Sequence, residues 1–167
     1  MPPDARLTRR DLFLGRRADH RAMRPPWALP PAAFLDTCTR CSACIAACPQ
    51  QVLGTGDGGF PQFDPAAGEC TFCGRCAEAC LPRALDPSAV TRPWQQPAVI
   101  ADRCFQNHGI VCASCLDACP KAAIGRTPGR TAMPVVDPER CSGCGACVAV
   151  CPAGAIALAV VAPEAIR

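Results

Sequence analysis

Sixteen of the 167 residues are cysteine, and they fall into four quartets. These are Cys38, Cys41, Cys44 and Cys48; Cys70, Cys73, Cys76 and Cys80; Cys104, Cys112, Cys115 and Cys119; and Cys141, Cys144, Cys147 and Cys151. Three read C-x2-C-x2-C-x3-C, and the third reads C-x7-C-x2-C-x3-C. No other property of the chain restricts its fold as much. Hydrophobic residues make up 50% when cysteine is counted and about 41% when it is not, and aromatics are 5% with no tyrosine. The large side chains that dominate cores are therefore scarce. A small chain with so thin a core needs staples, either disulfides or metals.

Which staple depends on the compartment. Cysteine at this density means disulfides in an exported chain and metal ligation in a cytosolic one. Residues 1–30 hold seven arginines (Arg6, Arg9, Arg10, Arg16, Arg17, Arg21, Arg24) against Asp4, Asp11 and Asp19, a net of +4. The rest of the chain, with ten basic and eleven acidic groups, nets −1. Arg9-Arg10-Asp11-Leu12-Phe13-Leu14 looks like a twin-arginine export motif. The following Gly15-Arg16-Arg17-Ala18-Asp19-His20-Arg21 is charged where that motif needs an apolar segment. The motif is thus read as a look-alike and the protein as cytoplasmic and reduced. No stretch is apolar enough to span a bilayer. The basic excess forms an arm, either a solvated tail or a docking element for an acidic partner. Nucleic acid is disfavoured, because no stacking aromatics are interleaved with the arginines.

The quartets repeat in pairs. An offset of 71 relates Cys41 to Cys112, Cys44 to Cys115, Cys48 to Cys119, Cys70 to Cys141, Cys80 to Cys151 and Gly54 to Gly125. Upstream the offset is 66 and aligns the run 31–38 with 97–104, so Cys104 is the counterpart of Cys38 and Phe105–Val111 contains an insertion. Arg24-Pro25-Pro26-Trp27 is echoed by Arg92-Pro93-Trp94. The chain divides into a basic arm (1–24), a first unit (25–90) and a second unit (91–167). Pro82, Pro87, Pro93 and Pro97 make the junction extended and turn-rich. In each unit an extended apolar stretch (Phe34-Leu35, Val99-Ile100) leads into a cysteine loop. A short helical segment follows (Ile45–Ala47, Leu116–Ala118), then a turn, an extended piece (Pro134–Val136) and a second cysteine loop. This alternation suits an α+β fold.

C-x2-C-x2-C-x3-C, usually followed by proline, is the spacing that holds a cubane [4Fe–4S] cluster. Three thiolates at x2 spacing wrap one face of the cubane, while the fourth lies past a helical turn and reaches the partner quartet's cluster. Pro49, Pro120 and Pro152 redirect the chain there; the second quartet has Leu81, with Pro82 one later. Cluster one then takes Cys38, Cys41, Cys44 and Cys80, and cluster two takes Cys70, Cys73, Cys76 and Cys48. Cluster three takes Cys104, Cys112, Cys115 and Cys151, and cluster four takes Cys141, Cys144, Cys147 and Cys119. Cys48 to Cys70 and Cys119 to Cys141 both span 22 positions. Four clusters are expected, or three if the looser third quartet is empty. Zinc fits poorly, since its C-x2-C pairs are separated by longer loops. His108 in the insertion is an alternative ligand, although an exposed loop histidine is the plainer reading. Gly54–Gly59 lacks the lysine and helix of a phosphate loop and reads as a turn. Lys121 is the only lysine, and all sixteen thiolates are committed, which argues against an enzyme. Four clusters at about −2 each take the formal charge from +3 to about −5.

The chain also resembles the NapF family, the ferredoxin-type accessory proteins of periplasmic nitrate reductase systems. The matching residues are Arg9-Arg10 with Leu12–Arg16, Arg24–Trp27, Phe34–Cys41, Gly58–Pro61, Cys70–Cys73, Thr91–Trp94 and Cys141–Cys147. The quartets alone identify polyferredoxins in general; the arm and the RPPW element carry the family-specific part. The resemblance implies two tandem bacterial dicluster-ferredoxin units, each a pseudo-twofold pair of ββ/α repeats around a small metal-organised core. It also implies a cytoplasmic protein that binds the precursor of the catalytic nitrate reductase subunit, NapA, and assists its maturation before export, with the arm as a contact. The alternatives are a soluble carrier that passes single electrons to an oxidoreductase, and a protein whose iron–sulfur clusters only hold the fold. The long basic arm favours the first reading over the second, and two clusters per unit exceed what folding requires.

Overall fold

The computed structural model describes residues 23–90, 93–94, 96–129 and 132–159. Most of the expected arm lies outside them. The arm's last two residues, Met23 and Arg24, are built into the first half: Met23 is buried, and its carbonyl accepts the Phe63 N–H at 2.7 Å.

Regular elements are short because prolines, glycines and cysteine loops interrupt the chain every few residues. Helix α1 (Pro31–Thr37) is followed by four-residue helices α2 (Ala43–Ala46), α3 (Arg75–Glu78), α4 (Ser114–Asp117) and α5 (Ala146–Ala149). Strands β1 (Leu53–Thr55) and β2 (Pro61–Phe63) form an antiparallel hairpin with Leu53 opposite Phe63. Strands β4 (Ile124–Arg126) and β5 (Pro134–Val136) form its counterpart with Ile124 opposite Val136. The offset of 71 carries β1 onto β4, α2 onto α4 and α3 onto α5, so the sequence repeat is a structural repeat.

The halves differ at their ends. In the second, β3 (Ala98–Ile100) pairs antiparallel with β6 (Ile156–Leu158) and ties the start of the unit to its finish. The expectation for Val99-Ile100 holds there. Phe34-Leu35, expected to be extended as well, lies instead within α1. Pro31 presets the first helical turn and the alanines after it favour the helix. The helix directs Phe34 inward, fully buried, with its ring 6.1 Å from that of Phe60. The strand pairing of the second half shrinks here to one bridge, Ala28 with Leu85.

The buried apolar residues are few. Phe34, Val52, Phe60, Phe63 and Leu85 serve the first half, and Ala98, Ile124, Ile156 and Leu158 the second. Three of the buried residues in this core are cysteines, Cys44, Cys76 and Cys147. Two-stranded hairpins and single helical turns are marginal in water without further support. Among the described residues no helix is long and apolar enough to cross a membrane. Stripping iron with a chelator is therefore expected to remove most native secondary structure in the far-ultraviolet circular dichroism spectrum. A spectrum unchanged after chelation would show that the apolar contacts suffice alone.

Candidate metal centres

The loop geometry of the quartets follows from their small and glycine residues. In the three regular quartets, the residues flanking the second cysteine are left-handed. They are Arg40 and Ser42 (φ 59° and 61°), Phe72 and Gly74 (55° and 81°), and Gly143 and Gly145 (71° and 88°). Reversals of this kind turn successive backbone N–H groups into one concavity, which suits an anionic guest. The third quartet differs, with Ala113 at φ −129°. Its longer spacer folds as a 3-10 turn, Phe105–His108, closed by the Ile110 N–H donating to the Phe105 carbonyl at 3.0 Å. The Gln106 side chain donates to the Cys112 carbonyl at 2.6 Å, and Arg103 Nε donates to the Gly154 carbonyl at 2.8 Å. These contacts bring Cys104 back to the rest of its quartet.

The sixteen cysteines are all free thiols and line four cavities, four to each. Cys38, Cys41, Cys44 and Cys80 share one whose empty space, with its open mouth included here as for the others, is about 340 Å³. Cys48, Cys70, Cys73 and Cys76 share a second of about 330 Å³. Cys104, Cys112, Cys115 and Cys151 share a third of about 350 Å³, and Cys119, Cys141, Cys144 and Cys147 a fourth of about 310 Å³. Each cavity thus takes three cysteines from one quartet and the last from its partner. The crossing is mechanical. Helix α2 presents Cys44 to the first cavity and then delivers Cys48 to the second, and α3 returns the exchange through Cys76 and Cys80. Helices α4 and α5 do the same for the other pair. His108 is exposed and lines none of these cavities.

Electrostatics agrees with this grouping. Burial pushes the Cys44 and Cys70 thiols up to about 11, and Cys76 and Cys147 up to about 12. Neighbouring thiols add to the rise. Cys38 and Cys80 act on Cys44; Cys104, Cys112 and Cys151 act on Cys115; Cys144, Cys141 and Cys119 act on Cys147. Exposed Cys41 and half-buried Cys112 move the other way, chiefly because the N–H groups of Ala43 and Ser114 donate to them. Four thiolates at one site repel one another and resist desolvation, so the guest must bring positive charge. Backbone N–H groups already point at sulfur: Phe72 at Cys70 (3.4 Å), Ala98 at Cys141 (3.4 Å), Ala123 at Cys119 (3.2 Å) and Ala155 at Cys151 (3.3 Å). Such bonds stabilise thiolate charge and tune the potential of a bound cluster.

The donor set fits a polynuclear iron–sulfur cluster. All four donors are sulfur, as a cubane requires. Zinc would draw its thiolates to about 2.3 Å. Among the described residues, no group of three or more His, Cys, Asp or Glu side chains converges tightly enough for a single ion. A cubane, with its irons at separate corners, needs its four donors spread around a cavity.

Two features escaped the sequence reading. Arg24, assigned to the arm, lies 5.3 Å from the ring centres of both Phe34 and Phe60, and its charge reaches Cys38. The two tryptophans of the RPPW echo also sit beside the second cavity's loop. The ring of Phe72, between Cys70 and Cys73, lies 6.4 Å from Trp27 and 5.3 Å from Trp94. The echo between Arg24–Trp27 and Arg92–Trp94 was the available signal.

Crossed ligation makes a specific prediction. Replacing Cys80 by Ser is expected to remove about four iron, one cubane's worth. The double variant Cys41→Ser/Cys80→Ser should lose no more, since both thiols serve one cavity. Cys73→Ser/Cys80→Ser should lose twice as much. Iron and acid-labile sulfide assays on the anaerobic protein decide it; the reverse order, with Cys41→Ser/Cys80→Ser losing twice as much as Cys73→Ser/Cys80→Ser, would refute the crossing.

Known proteins agree with the element-level picture. Two family models, each described as a 4Fe-4S dicluster domain, match residues 33–81 and 108–155. The second begins just after Cys104, the cysteine set apart by the insertion. The chain is 40% identical over 152 residues to the ferredoxin-type protein NapF of Escherichia coli, covering 89% of this chain and 92% of that one. It is 41% identical over 138 residues to NapF of Haemophilus influenzae, covering 81% and 78%. The methylamine utilization ferredoxin-type protein MauM of Paracoccus denitrificans is 35% identical over 161 residues, covering 85% and 72%. With this identity along nearly its whole length and a dicluster domain in each half, the chain belongs to the NapF family of ferredoxin-type proteins.

Proposed function

We propose that this chain is an iron–sulfur accessory protein of periplasmic nitrate reduction. It would hold four [4Fe–4S] clusters on its sixteen cysteines and bind the precursor of the catalytic subunit, NapA, in the cytoplasm, assisting its maturation before export. The observation that carries the iron–sulfur part is the grouping of sixteen free thiols into four all-sulfur cavities. Cysteine-ligated clusters supply one-electron chemistry. Each unit is read as two ββ/α repeats about a pseudo-twofold axis. With every cysteine turned to a cavity, the role is that of a binding and redox protein rather than an enzyme.

The client is supported by likeness. MauM relatives stand at 30–35% identity and NapF relatives at 40–41%. Relatives of both names match along most of the chain, so the higher identity favours the nitrate system. The alternative is a soluble ferredoxin that passes single electrons to an oxidoreductase.

The test is anaerobic affinity purification from the native host, with iron, sulfide and co-purifying proteins measured together. About sixteen iron per chain, four per cubane, with the NapA precursor attached is the expected result. About twelve iron would mark the third cavity as empty. Deleting residues 1–22 should abolish capture of the precursor and leave the visible absorption of the clusters unchanged. Full clusters with a reductase, and no precursor, would move the assignment to the electron carrier.

A further inference from the structure

The two halves meet through the loops of the second and fourth cavities. The Cys70 N–H donates to the Cys144 carbonyl at 2.8 Å, and the charge of Cys144 is felt at Cys70. Gly145, beside Cys144, is pressed onto the first half. A Cβ there would lie 3.0 Å from the Phe63 ring, 3.1 Å from the Gly68 carbonyl and 3.1 Å from Pro65. Its repeat counterpart Gly74 has only its own helix's Glu78 nearby, at 3.9 Å. Glycine at 145 therefore serves a close approach between halves as well as its left-handed φ.

Trp94 fills the seam. Its ring lies 4.5 Å from that of Phe63, tilted by 40°, and meets Phe72 edge-on at 5.3 Å. At Gly143 of the fourth cavity's loop, a Cβ would meet the Gln96 carbonyl oxygen at 2.7 Å and lie 3.8 Å from the indole. Its N–H donates to the Arg24 carbonyl at 3.1 Å, and the Trp27 N–H donates to the Pro93 carbonyl at 3.1 Å. One indole thus touches Phe72, which separates Cys70 from Cys73, and Gly143, which separates Cys141 from Cys144. Gly143 is the repeat counterpart of Phe72, 71 positions on. A side chain there would first collide with the Gln96 carbonyl and then crowd the indole, so the repeat is broken beside the seam.

We infer that Trp94 is a positioning residue that locks the second cavity's loop against the fourth's, so that the cavities run in the order one, two, four, three. Cavities one and two are joined through α2 and α3, cavities three and four through α4 and α5, and the two pairs through Cys70 and Cys144. The inference rests on the cluster-bearing reading only for what the cavities hold; the order itself follows from contacts of this chain.

The test uses the full chain as purified anaerobically. Hydrogen exchange is measured on peptides containing the Cys70 amide and, as an internal control, the Ala123 and Ala155 amides, which point at sulfur within the second half. Trp94→Ala is expected to speed exchange at Cys70 by at least about tenfold and leave the control amides unchanged. Trp94→Phe should keep most of the protection. Pro65→Glu, which places a charge against Gly145 from outside every cysteine loop, should act like Trp94→Ala. Electron paramagnetic resonance of the reduced chain gives a second readout: broadening by spins in the opposite half should be lost in Trp94→Ala. Unchanged Cys70 exchange or unchanged broadening in Trp94→Ala, with its iron retained, would overturn the inference. Iron counts judge the cluster reading separately, since a chain short of a cluster that still shows Trp94-dependent protection at Cys70 refutes four clusters and supports the docking.

Discussion

Convergence of four sulfurs on each of four cavities is the constraint on which the rest of the molecule depends. Each cavity draws its last cysteine from the neighbouring quartet, so neither quartet of a pair can complete its site alone. Two loops about thirty residues apart are thereby tied together twice. The helices between them are only four residues long, yet their positions are set, because each has a ligand within it and another just beyond it. The apolar core is correspondingly modest, and hairpins of three-residue strands need no intrinsic stability of their own.

The same constraint governs the electrostatics. Buried thiols in each cavity are driven upward by burial and then by one another. Sites of this kind are unfavourable for thiolates until a positively charged guest arrives, so metal binding and folding are expected to be one process here. Backbone N–H groups aimed at Cys70, Cys119, Cys141 and Cys151 offset part of that cost. On the proposed reading, four clusters leave the cysteine-rich body acidic and the net basic excess ahead of residue 25, a separation of charge suited to a docking arm.

Much of the site was legible from spacing. Thiolates two residues apart must share a loop, and a fourth cysteine past a helical turn must point away from it, so the crossed grouping follows from covalent geometry. The offset of 71 located the helical turns and the first hairpin strand of both units; the second strands, Pro61–Phe63 and Pro134–Val136, stand 73 apart. The ends were not legible. Phe34 aligns with Ile100 and its stretch looks as apolar, but it stands behind two prolines and two alanines, and the local preference for helix prevailed over the repeat. Arg24 reads as one more arginine of a basic arm; only the packed structure shows its guanidinium against Phe34 and Phe60, near Cys38.

The sequence alone determined what this protein can hold: sixteen sulfurs in a pattern that selects iron–sulfur chemistry, repeated in two units, with family membership carried by the arm and the RPPW element. Those properties are local, since residues a few positions apart impose them. The tertiary structure alone decided how the units face each other. The seam brings together Trp27, Phe63, Phe72, Trp94, Gly143 and Gly145 from both halves, and no periodicity records that meeting. Non-polar packing has no directional code in the chain; it depends on which surfaces remain uncovered once each unit has closed around its own sulfurs.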